Sequence, residues 1–233
     1  YTQRDTLSLH DALPIAPTVH EALSLAAASE VTGQLLMVSQ SRRYYESLER
    51  FRAAVRELGT LGIVTTQFFK NPELRDFHAT LAFPLLLDMA IHPFDAARYV
   101  LDAEPLAVTC TAFTPSWSDS FGAPASIAQF DFEGGIRYLY TGSWASPGLE
   151  TSWNGEWRVS GSGGSATWDG EQGVESEVVT AAAASPAPDA WSRPAGSGPE
   201  IEGSFAEFVD AVRTGRTPGG EIHSNVTSLA MVE

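Results

Sequence analysis

A chain of 233 residues with 43% apolar and 10% aromatic side chains can build a sizeable core. Its formal net charge of -15 argues against the phosphate backbone of nucleic acid or an anionic membrane surface as a partner, because both would repel it. Cys110 is the single cysteine, so neither an intramolecular disulfide nor a thiolate metal site can assemble within the chain, and we read it as a small residue in a strand.

The opening TLSLHDALPI resembles translated sequencing-adapter read-through, so residues 1–15 are read as a non-native tail and receive no role. Thr18 and Glu21 form a T-x-x-E capping box before EALSLAAASEV, and Gly33 supplies a left-handed stop, which predicts a first helix. QLLMVSQ reads as a short buried strand. YYESLERFRAAVRELG reads as an amphipathic helix with Leu48, Phe51, Val55 and Leu58 on its apolar face, and GIVTTQFFK as a strand.

A helix is expected next from about Pro84 to Leu101. Pro93 lies in its interior and removes a backbone hydrogen bond, which predicts a kink or irregular turn at His92. After Asp102 the pattern changes to period two. LAVTCTAF, SIAQFDF, IRYLYTGSW, TSWNGEWRVSG, SATWDG and VESEVVT read as strands of a meandering, mainly antiparallel sheet. The clearest hairpin turns at Glu133-Gly134-Gly135, with Phe130, Phe132, Tyr138 and Tyr140 alternating around it. AAAASPAPDAWSRPAGSGPE reads as a surface loop or linker. EGSFAEFVDAVRTG closes the pattern as a short helix with Phe205, Phe208, Val209 and Val212 on one face and Gly215 as its stop.

The residues that point to chemistry are Asp88, His92 and Asp95 in LLLDMAIHPFDAARYVL. They stand i, i+4 and i+7, a spacing that gathers all three on one helical face, close enough for a carboxylate to orient an imidazole. Burying such a face without partners costs several kcal/mol or forces a pKa shift, so a catalytic acid/base pair is the leading reading. The alternative is a structural histidine satisfied by its neighbours. His10, His20, His78, His92 and His223 are scattered without ligand spacing, so no metal is expected. No run approaches the ~20 apolar residues of a membrane span. His10 and Asp11 break any signal-peptide core, which leads us to expect a cytoplasmic protein.

Four segments in order, LLMVSQSRRY, LLLDMAIHPFDAARYVL, GSWASPG with WRVSGSGGSATWDG, and SFAEFVDAVRTGRTP, resemble the Gfo/Idh/MocA oxidoreductases, the family of glucose-fructose oxidoreductase and inositol dehydrogenase. The resemblance covers most of Val19 to Glu233. It implies an α+β fold with an open, mostly antiparallel sheet and helices on one face, the C-terminal domain of such an enzyme. Residues 16–40 would then be a remnant of the nucleotide-binding domain, and 41–233 the substrate-binding and oligomerisation domain. With Tyr1 in first place and Glu233 inside HSNVTSLAMVE, we expect a fragment, inactive as it stands. No G-x-G-x-x-G follows a strand and opens a helix, the G-S-G-G near Gly161 ought to be an ordinary turn, and the family's E-K-P lysine is not found.

By resemblance, His92 matches the catalytic histidine, a general base when the substrate hydroxyl is oxidised. Asp88 matches the aspartate that supports it or binds substrate. Asp95 is expected as support or a substrate contact. Arg43 matches a position near the junction of cofactor and substrate, with a surface arginine as its alternative, and Ser41 stands where many members have asparagine. Tyr44 and His78 are pocket candidates. Trp144 and Trp153 line a sugar pocket or, as tryptophans in strands more often do, belong to the core. The resemblance implies NAD or NADP as cofactor, a sugar, cyclitol or related polyol as substrate, and a homo-oligomer through the open sheet face. Two other readings stay open: a binding and oligomerisation module without chemistry, and a relative that cleaves glycosides through a transient oxidation.

Overall fold

The computed structural model describes residues 14–73, 78, 80–120, 122–179 and 199–233. The tail at 1–15 lies almost wholly outside the described residues, as does the Ala/Pro/Ser/Gly-rich stretch from 181 to 198. The described elements are helices α1 (Val19–Thr32), α2 (Glu46–Arg56), α3 (Ile91–Leu101), α4 (Glu200–Thr214) and α5 (Ile222–Ala230) and seven strands. The strands are β1 (Leu61–Phe69), β2 (Pro105–Phe113), β3 (Ala125–Phe132), β4 (Arg137–Ser143), β5 (Glu156–Gly161), β6 (Gly164–Trp168) and β7 (Val174–Val178). They form one sheet in the order β2-β3-β4-β1-β5-β6-β7, antiparallel throughout except for the parallel pair β1–β4. The fold is α+β with an open, mostly antiparallel sheet.

Period-two patterning sets which face is covered. Val64 pairs with Tyr138 on one side and Val159 on the other, and Phe130 pairs with Tyr138, so one inward row runs across four strands. Around the β3–β4 turn, Gly134 and Gly135 adopt φ of 70° and 77°, which permits the tight reversal. Phe130, Phe132, Tyr138 and Tyr140 all point inward and are buried. Phe51 of α2 packs on Trp157 and Trp168, with ring centroids 6.4 and 6.0 Å away, and Phe94 of α3 packs edge-on to Phe130 at 4.8 Å. The opposite face leaves Ile63, Ile127 and Leu139 exposed. Cys110 lies in β2 and is exposed. No helix of the described residues is long and apolar enough to cross a membrane.

Local signals hold at both ends of α1: the Thr18 hydroxyl accepts from the Glu21 N–H at 3.2 Å, and Gly33 is left-handed. Leu48, Phe51, Val55 and Leu58 are buried as expected of α2. Four expectations need correction. QLLMVSQ is not a strand: among the described residues it makes a single bridge, Met37 to Glu221, against the short passage into α5. The first residues of TSWNGEWRVSG form a loop, and the strand begins at Glu156. The irregularity expected at His92 comes one turn earlier, as a wide π-helical turn over Leu85–Ala90. Pro93 has no N–H for the carbonyl four residues back, so the ladder loosens before it and Pro93 itself falls in the first turn of α3, where that loss is tolerated.

The fourth correction concerns α4. Phe205 and Val212 are 66% and 60% exposed, whereas Gly203, Ser204, Glu207 and Ala211 are buried. A polar face is turned inward because Glu207 finds partners there. The Tyr44 hydroxyl donates to its Oε2, and Arg216 Nη1 and the Gly219 N–H each reach Oε1 at 3.0 Å.

Candidate active site

Every residue of α3 is buried, so each polar side chain on it must meet a partner or a cavity. The helix packs against α2 and α5, and the π-helical turn before it against β3 and β4. This seats Asp88, His92 and Asp95 in one rigid body, but they face three different surroundings. The π-helical turn ends at Ala90, between Asp88 and His92, so regular i, i+4 stacking does not carry across it intact.

His92 is 8% exposed and lies in the wall of a cavity of about 220 Å³. Met89 lies beside it. Ser41, Arg42 and Tyr45 reach the same cavity from a 3-10 turn (Ser41–Tyr44) and the residue after it, Trp153 and Asn154 from the β4–β5 loop, and Glu200 from the start of α4. Asp88 is buried, and its Oδ2 lies 3.2 Å from His78 Nε2. The His78 ring in turn meets Trp144 edge-on at 5.6 Å. The structure thus joins His78 to Asp88, one helical turn before the cavity histidine.

Asp95 belongs to a different network. Arg43 grips it with two bonds, Nε to Oδ2 at 2.8 Å and Nη2 to Oδ1 at 2.7 Å, and Arg43 Nη1 donates to the Gly219 carbonyl. The Ser228 hydroxyl donates to Asp95 Oδ1 at 2.7 Å and accepts from Arg98 Nη1 at 2.7 Å. Burial alone would lower the Arg43 pKa, but the Asp95 charge and hydrogen bonds outweigh it and leave it raised. Burial, then the bond to Glu207, raises that of Tyr44. Arg43, Asp95 and Tyr44, all read from the sequence as substrate contacts, are therefore engaged in a buried network that ties the 3-10 turn to α3, α4 and α5. Of the two tryptophans, Trp153 lines the cavity and Trp144 is buried beside His78.

The sequence reading passed over Arg42, Tyr45, Asn154 and Glu200. Arg42 is the neighbour of the arginine it chose, and in a 3-10 turn adjacent side chains diverge, so one faces Asp95 and the other the cavity. Burial lowers the Arg42 pKa to about 10, against smaller opposing influences from Tyr45 and Tyr140. The Tyr45 hydroxyl is raised by burial first and then by the Glu200 carboxylate, against the pull of Arg42. Asn154 is set by its side-chain N–H to the Gly170 carbonyl, 2.7 Å.

Among the described residues no glycine-rich turn opens a helix as a phosphate cradle for a dinucleotide would. Their glycine-rich turn, Gly161 to Gly164, joins antiparallel β5 and β6 and opens no helix. Its end glycines are small because a Cβ would strike the Leu58 and Glu177 carbonyls. No group of three or more His, Cys, Asp or Glu side chains that could hold a metal ion occurs among the described residues.

Residues 48–167, more than half of the chain, match the model of the GFO/IDH/MocA C-terminal domain, and the chain belongs to that family. It is similar to the uncharacterized protein y4oX of Sinorhizobium fredii, 27% identical over 163 residues, which are 67% of this chain and 45% of that protein. Among solved structures it is similar to the aldose-aldose oxidoreductase from Caulobacter crescentus complexed with glycerol, with a TM-score of 0.74 and 22% identity over 94% of this chain and 66% of that one. It is also similar to the inositol dehydrogenase homolog from Azotobacter vinelandii complexed with NADH and myo-inositol, with a TM-score of 0.65 and 20% identity over 94% of this chain and 66% of that one. The chain thus spans under half of the length of y4oX and about two thirds of these solved relatives.

Proposed function

We propose that the chain is the substrate half of an NAD(P)-dependent oxidoreductase that moves a hydride between nicotinamide and a CH–OH group of a sugar, cyclitol or related polyol. The observation that carries the reading is His92, a nearly buried imidazole in the wall of a small polar cavity, in a chain of this family. A hydride leaves a carbinol carbon readily only if the hydroxyl proton is removed with it, and imidazole titrates near neutral pH. His92 takes that proton in oxidation and returns it in reduction. Asp88, one turn before His92 and in contact with His78, is assigned the supporting carboxylate. Nicotinamide supplies the hydride chemistry when bound; no residue here is assigned to its phosphates. The division into 16–40, the end of a nucleotide-binding unit, and 41–233, the substrate unit, is part of this proposal.

The test is nicotinamide reduction by the full-length gene product against a polyol panel. His92→Ala should lower kcat by about 100-fold or more with an unchanged circular dichroism spectrum. Equal turnover by the variant would remove His92 from the chemistry.

The exposed Ile63, Ile127 and Leu139 favour a second element of the reading, a homo-oligomer formed through the uncovered sheet face. Light scattering should then give at least a dimer. A strictly monomeric full-length protein contradicts it.

A further inference from the structure

The described arginines that are not exposed divide unevenly. Arg43 meets Asp95, Arg52 and Arg56 meet Asp102, Arg98 meets Glu104, and Arg216 meets Glu207 and Asp210. Arg42 meets no carboxylate among the described residues, although acidic residues outnumber Lys and Arg by 29 to 14 in the chain. Its one polar contact is Nη2 to the Met89 thioether at 3.6 Å, a weak acceptor. A guanidinium carries five donors in a planar fork, and leaving it half-buried without an anion is unfavourable. Burial already weakens its hold on its proton. The fold maintains this cation in the wall that holds His92.

We propose that Arg42 binds a carboxylate of the substrate, so that the polyol oxidised at His92 is a sugar acid. This deepens the function proposed above and rests on it for the role of His92. A planar carboxylate matches the fork with two parallel bonds and neutralises one positive charge with one negative. A phosphate monoester would bring about -1.5 to -2 against a single arginine and the nearby Glu200. Glu200 shares the cavity but makes no ion pair with Arg42, and it lies beside the Tyr45 hydroxyl, where it can accept from a substrate hydroxyl. The cavity of about 220 Å³ is small, which favours a compact sugar acid over a larger glycoside.

Calorimetric titration of the chain with matched pairs tests this without cofactor or turnover: glucuronate against glucose, galacturonate against galactose, and gluconate against glucitol, with glucose 6-phosphate as the phosphate arm. At least one acid should bind 10-fold or more tighter than its neutral twin, and Arg42→Met should abolish that preference. Arg42→Met should also hold or raise Tm, because it removes a desolvated charge. The proposal is overturned if no acid binds better than its twin, if the preference survives in Arg42→Met, if that variant lowers Tm substantially, or if glucose 6-phosphate binds tighter than every acid. In His92→Ala the carboxylate preference should persist while turnover of the full-length protein is lost. Failure of the redox reading and failure of this one are therefore seen separately.

Discussion

The bond between Arg43 and Asp95 offers the sharpest test of how the site is held. Their side chains are 9% and 3% exposed, and Arg43 grips both carboxylate oxygens at 2.7 and 2.8 Å. Asp95→Ala leaves a guanidinium enclosed with no carboxylate at its fork and strips the Ser228 hydroxyl of its acceptor. Removing one member of a buried pair costs about 3–5 kcal/mol. Two lost charge-assisted bonds at about 1.5–3 kcal/mol each give an overlapping range of about 3–6 kcal/mol. In a domain of this size each kcal/mol lowers Tm by about 2–4 °C, so the fall should be roughly 6–20 °C. Urea denaturation followed by circular dichroism, with scanning calorimetry beside it, measures both quantities. The double variant Arg43→Met/Asp95→Leu should recover most of the loss, since an apolar pair of similar volume is often neutral in place of buried ions. A Tm shift below about 2 °C in Asp95→Ala, or a double variant as unstable as the single one, would refute the assignment of the pair as a buried anchor.

Two further outcomes follow from local geometry. Gly170 has φ of 80°, and a Cβ there would overlap the Ser152 hydroxyl and the Gly155 carbonyl. Gly170→Ala should therefore cost on the order of 3 kcal/mol in urea denaturation and weaken ligand binding through Asn154; a loss under about 1 kcal/mol contradicts this. His223 at the start of α5 has its pKa raised above 6.5, first by the hydrogen bond to Glu221 and then by nearby carboxylate charge. A folded pKa above the unfolded one means that its contribution to stability is full below pH 6.5 and is lost as pH rises through the folded value. Nuclear magnetic resonance titration should place its midpoint above 6.5, and Glu221→Gln should bring it back; a wild-type midpoint at or below 6.5 refutes the pairing.

The sheet was legible because its signals are local. Alternation of Phe130, Phe132, Tyr138 and Tyr140 about a Gly-Gly turn specifies a hairpin and its buried face without reference to the rest of the chain. The face of α4 was not legible, since apolar periodicity points Phe205 and Val212 inward while Glu207 is drawn in by Tyr44, 163 residues away, and by Arg216. The same reason hid Arg42. Two adjacent arginines on one turn are equivalent until Asp95, 52 residues further on, takes one of them. His92 could be singled out from its spacing and family resemblance, and Pro93 announced an irregular turn, but not that the turn would span Leu85–Ala90 and so interrupt the register from Asp88 to His92.

The site's geometry also explains why α3 carries so many polar groups while being buried all round. Asp95 holds Arg43 and Ser228, and Ser228 accepts from Arg98, which is itself paired with Glu104. These bonds tie the helix to the 3-10 turn, to α5 and to the approach of β2. A proton-transfer group is effective only if its position is fixed to a fraction of an ångström, and that rigidity has to come from bonds that substrate does not touch. The network around Asp95 supplies it at one end of the helix, one turn beyond His92. It also turns Arg43 away from the cavity and leaves Arg42 facing it, so the same ion pair that anchors the helix selects which arginine lines the cavity.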